Sequence, residues 1–169
     1  AIVGLEPSCL LSLRDEFLAM GFGDAAVGLA GRAMLVEEFL AREHAGGRLR
    51  LPLGAIVQKR ALVHGHCHQK AFDALSPTIA VLKLVPGLAV DVVESSCCGM
   101  AGSFGYEAEH HELSMRMAEL SLLPAVRAVD ADTLIVADGT SCRHQIADGA
   151  GREAVHVARL LASLLPAGA

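Results

Sequence analysis

Leu88-Ala89-Val90-Asp91-Val92-Val93 runs directly into Glu94-Ser95-Ser96-Cys97-Cys98-Gly99-Met100-Ala101-Gly102-Ser103-Phe104-Gly105. The first six residues are an apolar run of strand length, and a helix is expected to begin near Tyr106. Between them stand two adjacent cysteines followed by three closely spaced glycines. Neighbouring Cα atoms lie too close for a relaxed disulfide. Paired thiols next to glycine suit a metal or iron–sulfur cluster that takes two neighbouring sulfurs and needs a close backbone approach. Two small apolar residues at a strand end is the plainer reading, since free cysteine is commonly buried. The other cysteines weaken it.

Ala1–Leu5 reads as a strand, then Ser8 as the cap of a helix from Cys9 to Met20. Residues 21–31 look looser, a helix is expected from Arg32 to His44, and Arg48–Lys59 looks extended. Ala61–His66 reads as a second strand and delivers Cys67. Helices over Gln69–Leu75 and Pro77–Val85 lead to the strand at Leu88–Val93, which delivers Cys97 and Cys98. A long helix, Tyr106–Val129, is expected to break or kink near Pro124. Thr133–Ala137 delivers Cys142, and a short strand at Ala154–His156 precedes a helix from Val157 to Leu165. Strands alternating with helices predict an α/β domain with a largely parallel sheet covered by helices. Cys9, Cys67, Cys97, Cys98 and Cys142 all fall just past strand carboxyl ends, the edge where open parallel sheets bind ligands. Helix N-termini at that edge favour thiolates. Ile2-Val3-Gly4-Leu5-Glu6-Pro7-Ser8-Cys9 and Ile135-Val136-Ala137-Asp138-Gly139-Thr140-Ser141-Cys142 look like one supersecondary unit used twice.

The 169 residues set one domain as the default. Aromatics are only 4% of the chain, so Ala, Val, Leu and Ile must build the core. The net charge of −5, with no basic run, argues against nucleic-acid binding. A mean hydropathy of +0.45 points to apolar surface covered by a partner or another domain. No stretch reaches the roughly 20 uninterrupted apolar residues of a membrane span. The opening residues lack a starting Met and a basic segment, so the chain is expected to be a piece of a longer protein. Five cysteines favour a cytosolic metal or redox role over a disulfide framework.

The Cys97-Cys98-Gly99 core, with Cys67 before it and Cys142 after it, resembles the cysteine-rich CCG module. That module occurs in the cysteine-rich subunit of heterodisulfide reductase, the glycolate oxidase iron–sulfur subunit and the anaerobic glycerol-3-phosphate dehydrogenase small subunit. The likeness is greatest to the carboxyl-terminal part of FAD-linked oxidases that resemble D-lactate and D-2-hydroxyglutarate dehydrogenases. It rests on Glu6-Pro7-Ser8-Cys9, His66-Cys67-His68-Gln69-Lys70, the stretch from Cys97 to Tyr106, and Asp138-Gly139-Thr140-Ser141-Cys142-Arg143. The resemblance makes residues 1–169 a carboxyl-terminal cysteine-rich domain, with 1–20 the end of a first repeat and 60–169 a second. Gly139 and Glu6 stand where the family has a further cysteine. The complete copy therefore retains Cys67, Cys97, Cys98 and Cys142, and four thiolates suit a 4Fe–4S cluster or tetrahedral zinc. Cys9 would join these four or belong to a site completed elsewhere.

The function implied is an electron-transfer domain of a FAD-linked oxidoreductase, inactive alone, with FAD in the full-length protein. Its partners would be flavin and ferredoxin-like domains and a quinone or cytochrome acceptor. The expected location is cytoplasmic, at most peripheral to the inner membrane. A structural zinc or subunit-interaction module and a thiol–disulfide redox domain are the other readings. His64, His66 and His68 alternate around Cys67 and are expected to surround the sulfurs rather than replace them. Gly99 admits the close approach, and Lys70 and Arg143 could offset thiolate charge, contact an anion, or simply be surface cations. His110-His111 reads as a solvated face and Met100, Met115 and Met117 as packing, with Met100 set apart because it directly follows the cysteine pair. The glycine spacing is wrong for a dinucleotide loop. Ser95, Ser96 and Ser103 lack the setting of a hydrolase nucleophile.

Overall fold

The computed structural model describes residues 1–95 and 97–166; Ser96, within the central motif, lies outside the described residues. Among these residues six strands form two parallel sheets. β1 (Ile2–Gly4) pairs with β2 (Ala33–Leu35). β3 (Arg60–Val63), β4 (Ala89–Val92), β5 (Leu134–Val136) and β6 (Ala154–Val155) form the larger sheet in the order β4-β3-β5-β6. The helices are α1 (Pro7–Leu11), α2 (Glu16–Ala19), α3 (Asp24–Ala30), α4 (Val36–Ala45), α5 (Cys67–Ala71), α6 (Leu75–Leu82), α7 (Ala108–Glu119), α8 (Leu122–Ala128), α9 (Thr140–Ala150) and α10 (Val157–Ser163). The expected α/β architecture is therefore present.

Side-chain alternation along the strands divides the core. Ala61, Val63 and Val136 pack on one face against Val81, Leu82, Leu160 and Leu161, joined by Leu40 and Ala41 of α4. Leu62 and Ile135 pack on the other against Leu122 and Val126 of α8 and Ile146 of α9. Cys98, Met100 and Cys142 belong to this second core, so the thiol edge is continuous with apolar packing. The small sheet has its own core of Leu10, Leu11, Ala33, Leu35 and Ala74.

Several local expectations shift. The Cys9–Met20 helix is three pieces, α1, a 3-10 turn at Ser12–Arg14, and α2. Pro7 occupies the first turn of α1, where its missing N–H costs nothing, so the helix starts before Cys9. Ser8 is not its cap; the hydroxyl donates to Glu6 Oε1 at 3.0 Å. Residues 24–30 are helical rather than loose. The start of the Arg32–His44 helix is instead strand β2, because pairing with β1 decides a short apolar run that periodicity leaves ambiguous. The long helix separates at Leu120–Ser121, which leaves Pro124 in the first turn of α8.

The repeated Ser-Cys unit extends further than its motif. β1–α1 returns to the parallel strand β2 and helix α4, and β5–α9 returns to the parallel strand β6 and helix α10.

Candidate metal centre

β4, β3 and β5 are adjacent and parallel, so their carboxyl ends lie side by side at the usual strand spacing of about 4.8 Å. The chain runs from β3 to β4 on one side and reaches β5 and β6 on the other. The switch point, where such sheets bind ligands, thus falls between β3 and β5. Cys67 opens α5 beyond β3, the Cys97–Cys98 loop follows β4, and Cys142 lies in the first turn of α9 beyond β5. The Cys98 and Cys142 sulfurs lie within 4.8 Å of one another, and Cys67 and Cys97 stand close enough to shift each other's ionisation. Cys98 and Cys142 are buried, Cys97 is half-buried and Cys67 is exposed, so the four run from the core to the surface.

The four thiols ionise as a set. Cys97 is pulled far down by the neighbouring Cys67 and Cys98 thiols, with the Gly99 amide donating to it at 3.3 Å. Cys142 falls to about 5 through the neighbouring Cys98 thiol, assisted by His64, against its burial. Cys67 is pushed up by Cys97 and by burial, and Cys98 by Cys142, Cys97 and burial. Burial and close neighbours thus set the four thiols' ionisation against one another.

Gly99 makes the turn possible. Its φ is +88°, and a Cβ there would lie 2.1 Å from the Ser114 carbonyl oxygen on α7. Gln145 of α9 donates to Ser114 O at 3.1 Å and Oγ at 3.0 Å, which locks α7, α9 and the loop together. Gly139 has a different reason. A Cβ at this position would lie 2.5 Å from His66 Cδ2 and 3.2 Å from Cys142 Sγ. The His66 ring occupies the space beside Cys142 that a cysteine at 139 would need.

The three histidines separate. His64 is buried, with Nδ1 3.0 Å from Ser95 Oγ, and its donor atom lies within 4.8 Å of those of Cys98 and Cys142. His66 caps α5 by accepting from His68 N at 3.2 Å, and sits 3.8 Å from Cys67 Sγ. Burial lowers its pKa, favouring neutral imidazole, although nearby Cys142 opposes this. The His68 ring lies beside that of His66, tilted by 37° with 5.2 Å between ring centres. Lys70 Nζ donates to Ser95 O at 2.5 Å; burial lowers its pKa, while Cys142 and the other thiols oppose this. Arg143 instead donates to the carbonyls of Ala137 and Asp138 at 3.1 and 2.5 Å, fixing the turn before α9. Cys9 is exposed on α1, beside the small sheet, and is outside every group of converging donors found among the described residues.

Sequence reading missed the buried polar groups behind this edge. Gln69 accepts from His66 N at 2.9 Å and donates to Asp138 Oδ2 at 2.9 Å. Its place three residues after an N-cap was the available signal. Glu6 accepts from Thr140 N at 2.9 Å and Thr140 Oγ1 at 2.8 Å, so the first repeat caps the cysteine helix of the second. Glu37 and His156 carried no motif.

No family model matches the sequence. No solved structure matches it. The chain is 29% identical over 164 residues to a subunit of the anaerobic glycerol-3-phosphate dehydrogenase of Escherichia coli (strain K12), covering 97% of this chain and 40% of that one. It is 28% identical over 166 residues to the D-2-hydroxyglutarate dehydrogenase of the same strain, covering 97% and 15%. For the D-2-hydroxyglutarate dehydrogenase of Haemophilus influenzae the identity is 29% over 153 residues, covering 86% and 14%. The chain thus spans at most 40% of these curated relatives. Over nearly its whole length it is a homologue of segments of these dehydrogenase proteins, in keeping with the CCG-module resemblance of its motifs.

Proposed function

We propose that this chain is an iron–sulfur electron-transfer domain of a flavin-linked oxidoreductase acting on a D-2-hydroxy acid. The observation that carries the reading is the gathering of four thiols beyond the carboxyl ends of three neighbouring parallel strands. All four donors are sulfur, and the Gly99 amide already donates to Cys97 Sγ at 3.3 Å, so the residues fit a cluster. Cys67, Cys97, Cys98 and Cys142 are its proposed ligands. A cluster held there supplies one-electron exchange between a flavin domain and an acceptor such as a quinone or cytochrome.

The surrounding residues have distinct parts in this proposal. His64, with Nδ1 engaged by Ser95, stands beside the Cys98 and Cys142 sulfurs, and its buried Nε2 has no hydrogen-bond partner among the described residues. His66 fills the place of a fifth thiolate beside Gly139. Lys70 brings a positive charge near all four sulfurs. The Leu62, Ile135 and Leu122 core excludes water from the inner pair. The proposed partners are the flavin and ferredoxin-like domains of a longer chain or complex.

Anaerobic reconstitution with iron and sulfide, followed by metal analysis and by visible and EPR spectra before and after dithionite, tests the reading. Bound iron with broad brown absorption and a reducible paramagnetic signal is expected. Cys98→Ser should lose the iron. A colourless protein holding only zinc after reconstitution, or a fully loaded Cys98→Ser variant, contradicts the assignment.

A further inference from the structure

A second group of donors lies behind the thiol edge and shares no residue with it. Glu37 of α4, Asp138 after β5 and His156 after β6 have donor atoms within 4.8 Å of one another, and all three are buried. Glu37 has no exposed surface, and no hydrogen bond from another of the described residues reaches either carboxylate oxygen. Its neighbour Glu38 has the ordinary helix-start role, accepting from Leu35 N at 2.8 Å and pairing with Arg14 at 2.9 Å. One step along the helix turns Glu37 inward, toward Asp138.

Among the described residues, the hydrogen bonds to the Asp138 carboxylate come from neutral groups. Val157 N donates to Oδ1 at 3.1 Å, and Gln69 Nε2 and Thr78 Oγ1 reach Oδ2 at 2.9 and 3.5 Å. Arg143 contacts the Asp138 carbonyl, not its carboxylate. His156 has a defined tautomer. Nε2 donates to Leu5 O at 2.9 Å, which leaves Nδ1 as the nitrogen with the lone pair, 3.6 Å from Asp138 Oδ1. Nδ1 also accepts from Ala158 N at 2.9 Å, a contact with which an ion would compete. A backbone carbonyl fixing the far nitrogen is how metal-binding histidines are commonly oriented.

We propose that Glu37, Asp138 and His156 bind a divalent cation of the zinc class, which pins α4 to the carboxyl ends of β5 and β6. One nitrogen and two carboxylates suit such an ion at about 2.0–2.2 Å per bond. Two carboxylates with no Lys or Arg partner among the described residues leave a charge that a divalent ion balances. Protonation is the competing account, since burial and the nearby Asp138 raise Glu37 to about 9. It would still leave both Glu37 oxygens buried without a hydrogen bond from another described residue.

Zinc titration of the chelator-stripped chain, with metal analysis after gel filtration, separates these accounts. With Cys67, Cys97, Cys98 and Cys142 all changed to Ser, one zinc per chain should remain bound, and adding Glu37→Gln should remove it. In the thiol-bearing chain, cobalt(II) should give an intense thiolate band and then a further equivalent with only weak visible absorption, absent from Glu37→Gln. A four-serine chain that is folded by circular dichroism yet binds no zinc overturns the proposal. So does a Glu37→Gln chain holding as much metal as its parent. If the four-serine chain does not fold, the cobalt measurement decides, and absence of the second equivalent overturns the proposal. Loss of the thiolate band alone would count against the thiol site and leave this one standing.

Discussion

Gly99 and Gly139 show how single residues shape the thiol edge. At Gly99 both the positive φ and the Ser114 carbonyl exclude a side chain. Gly99→Ala should destabilise the chain by roughly 2 kcal/mol or more, because neither the turn nor the α7 backbone can relax alone. Urea unfolding of the metal-free protein measures it; an unchanged midpoint would mean the loop is free to move. At Gly139 the obstacle is a side chain, His66, rather than backbone. The departure from a five-cysteine pattern is therefore matched by a ring that fills the space. The Cys97–Cys98–Gly99 motif was legible because adjacent cysteines and a glycine carry their chemistry in the chain itself. The His66–Gly139 exchange was not, since it joins residues 73 positions apart.

At the level of elements, α9 is preceded at its N-cap by Gly139, which has no side chain to cap it. Glu6 supplies the cap from the first repeat. Burial opposes its charged form, but the bonds from Thr140 and Ser8 outweigh this and hold the carboxyl below its usual value. A depressed carboxyl adds stability above its unfolded pKa and loses it as pH falls through the folded value. Glu6→Gln should therefore cost about 1 kcal/mol at neutral pH, allowing for partial solvent screening, with the deficit closing in acid. Unfolding midpoints of both proteins at pH 7 and pH 3 check this, and a deficit that grows in acid would contradict it. The principal helices and strands were readable from apolar periodicity and turn residues. β2 was not, because three apolar residues become a strand only when β1 lies beside them.

Across the whole molecule, the two βαβα units meet through Glu6, Leu5 and Glu37 on one side and Thr140, His156 and Asp138 on the other. Glu37 makes this junction sensitive to pH when no metal is bound. Its folded pKa is raised, so its contribution is full below about pH 4.5 and is lost as pH rises toward about 9. Asp138 and Glu38 face it with like charge. Metal-free Glu37→Gln should therefore gain stability relative to the parent as pH rises from 5 to 9. Thermal unfolding across that range measures the trend; parallel curves would show that Glu37 does not titrate there. Zinc should reverse the parent's slope by holding the carboxylate ionised.

The amino-acid sequence by itself determined the alternation of strands and helices, the delivery of each cysteine to a strand end and the repeated Ser-Cys unit. These follow from short-range periodicity and from residue types whose chemistry is local. Only the tertiary structure decided that β4, β3 and β5 are neighbours, which gathers Cys67, Cys97, Cys98 and Cys142 at one edge and leaves Cys9 beside another sheet. It also decided that Glu37 and Asp138, 101 residues apart, are buried together. The reason is physical: strand order and the burial of a carboxylate depend on which apolar faces close against each other, and that choice belongs to the folded core as a whole.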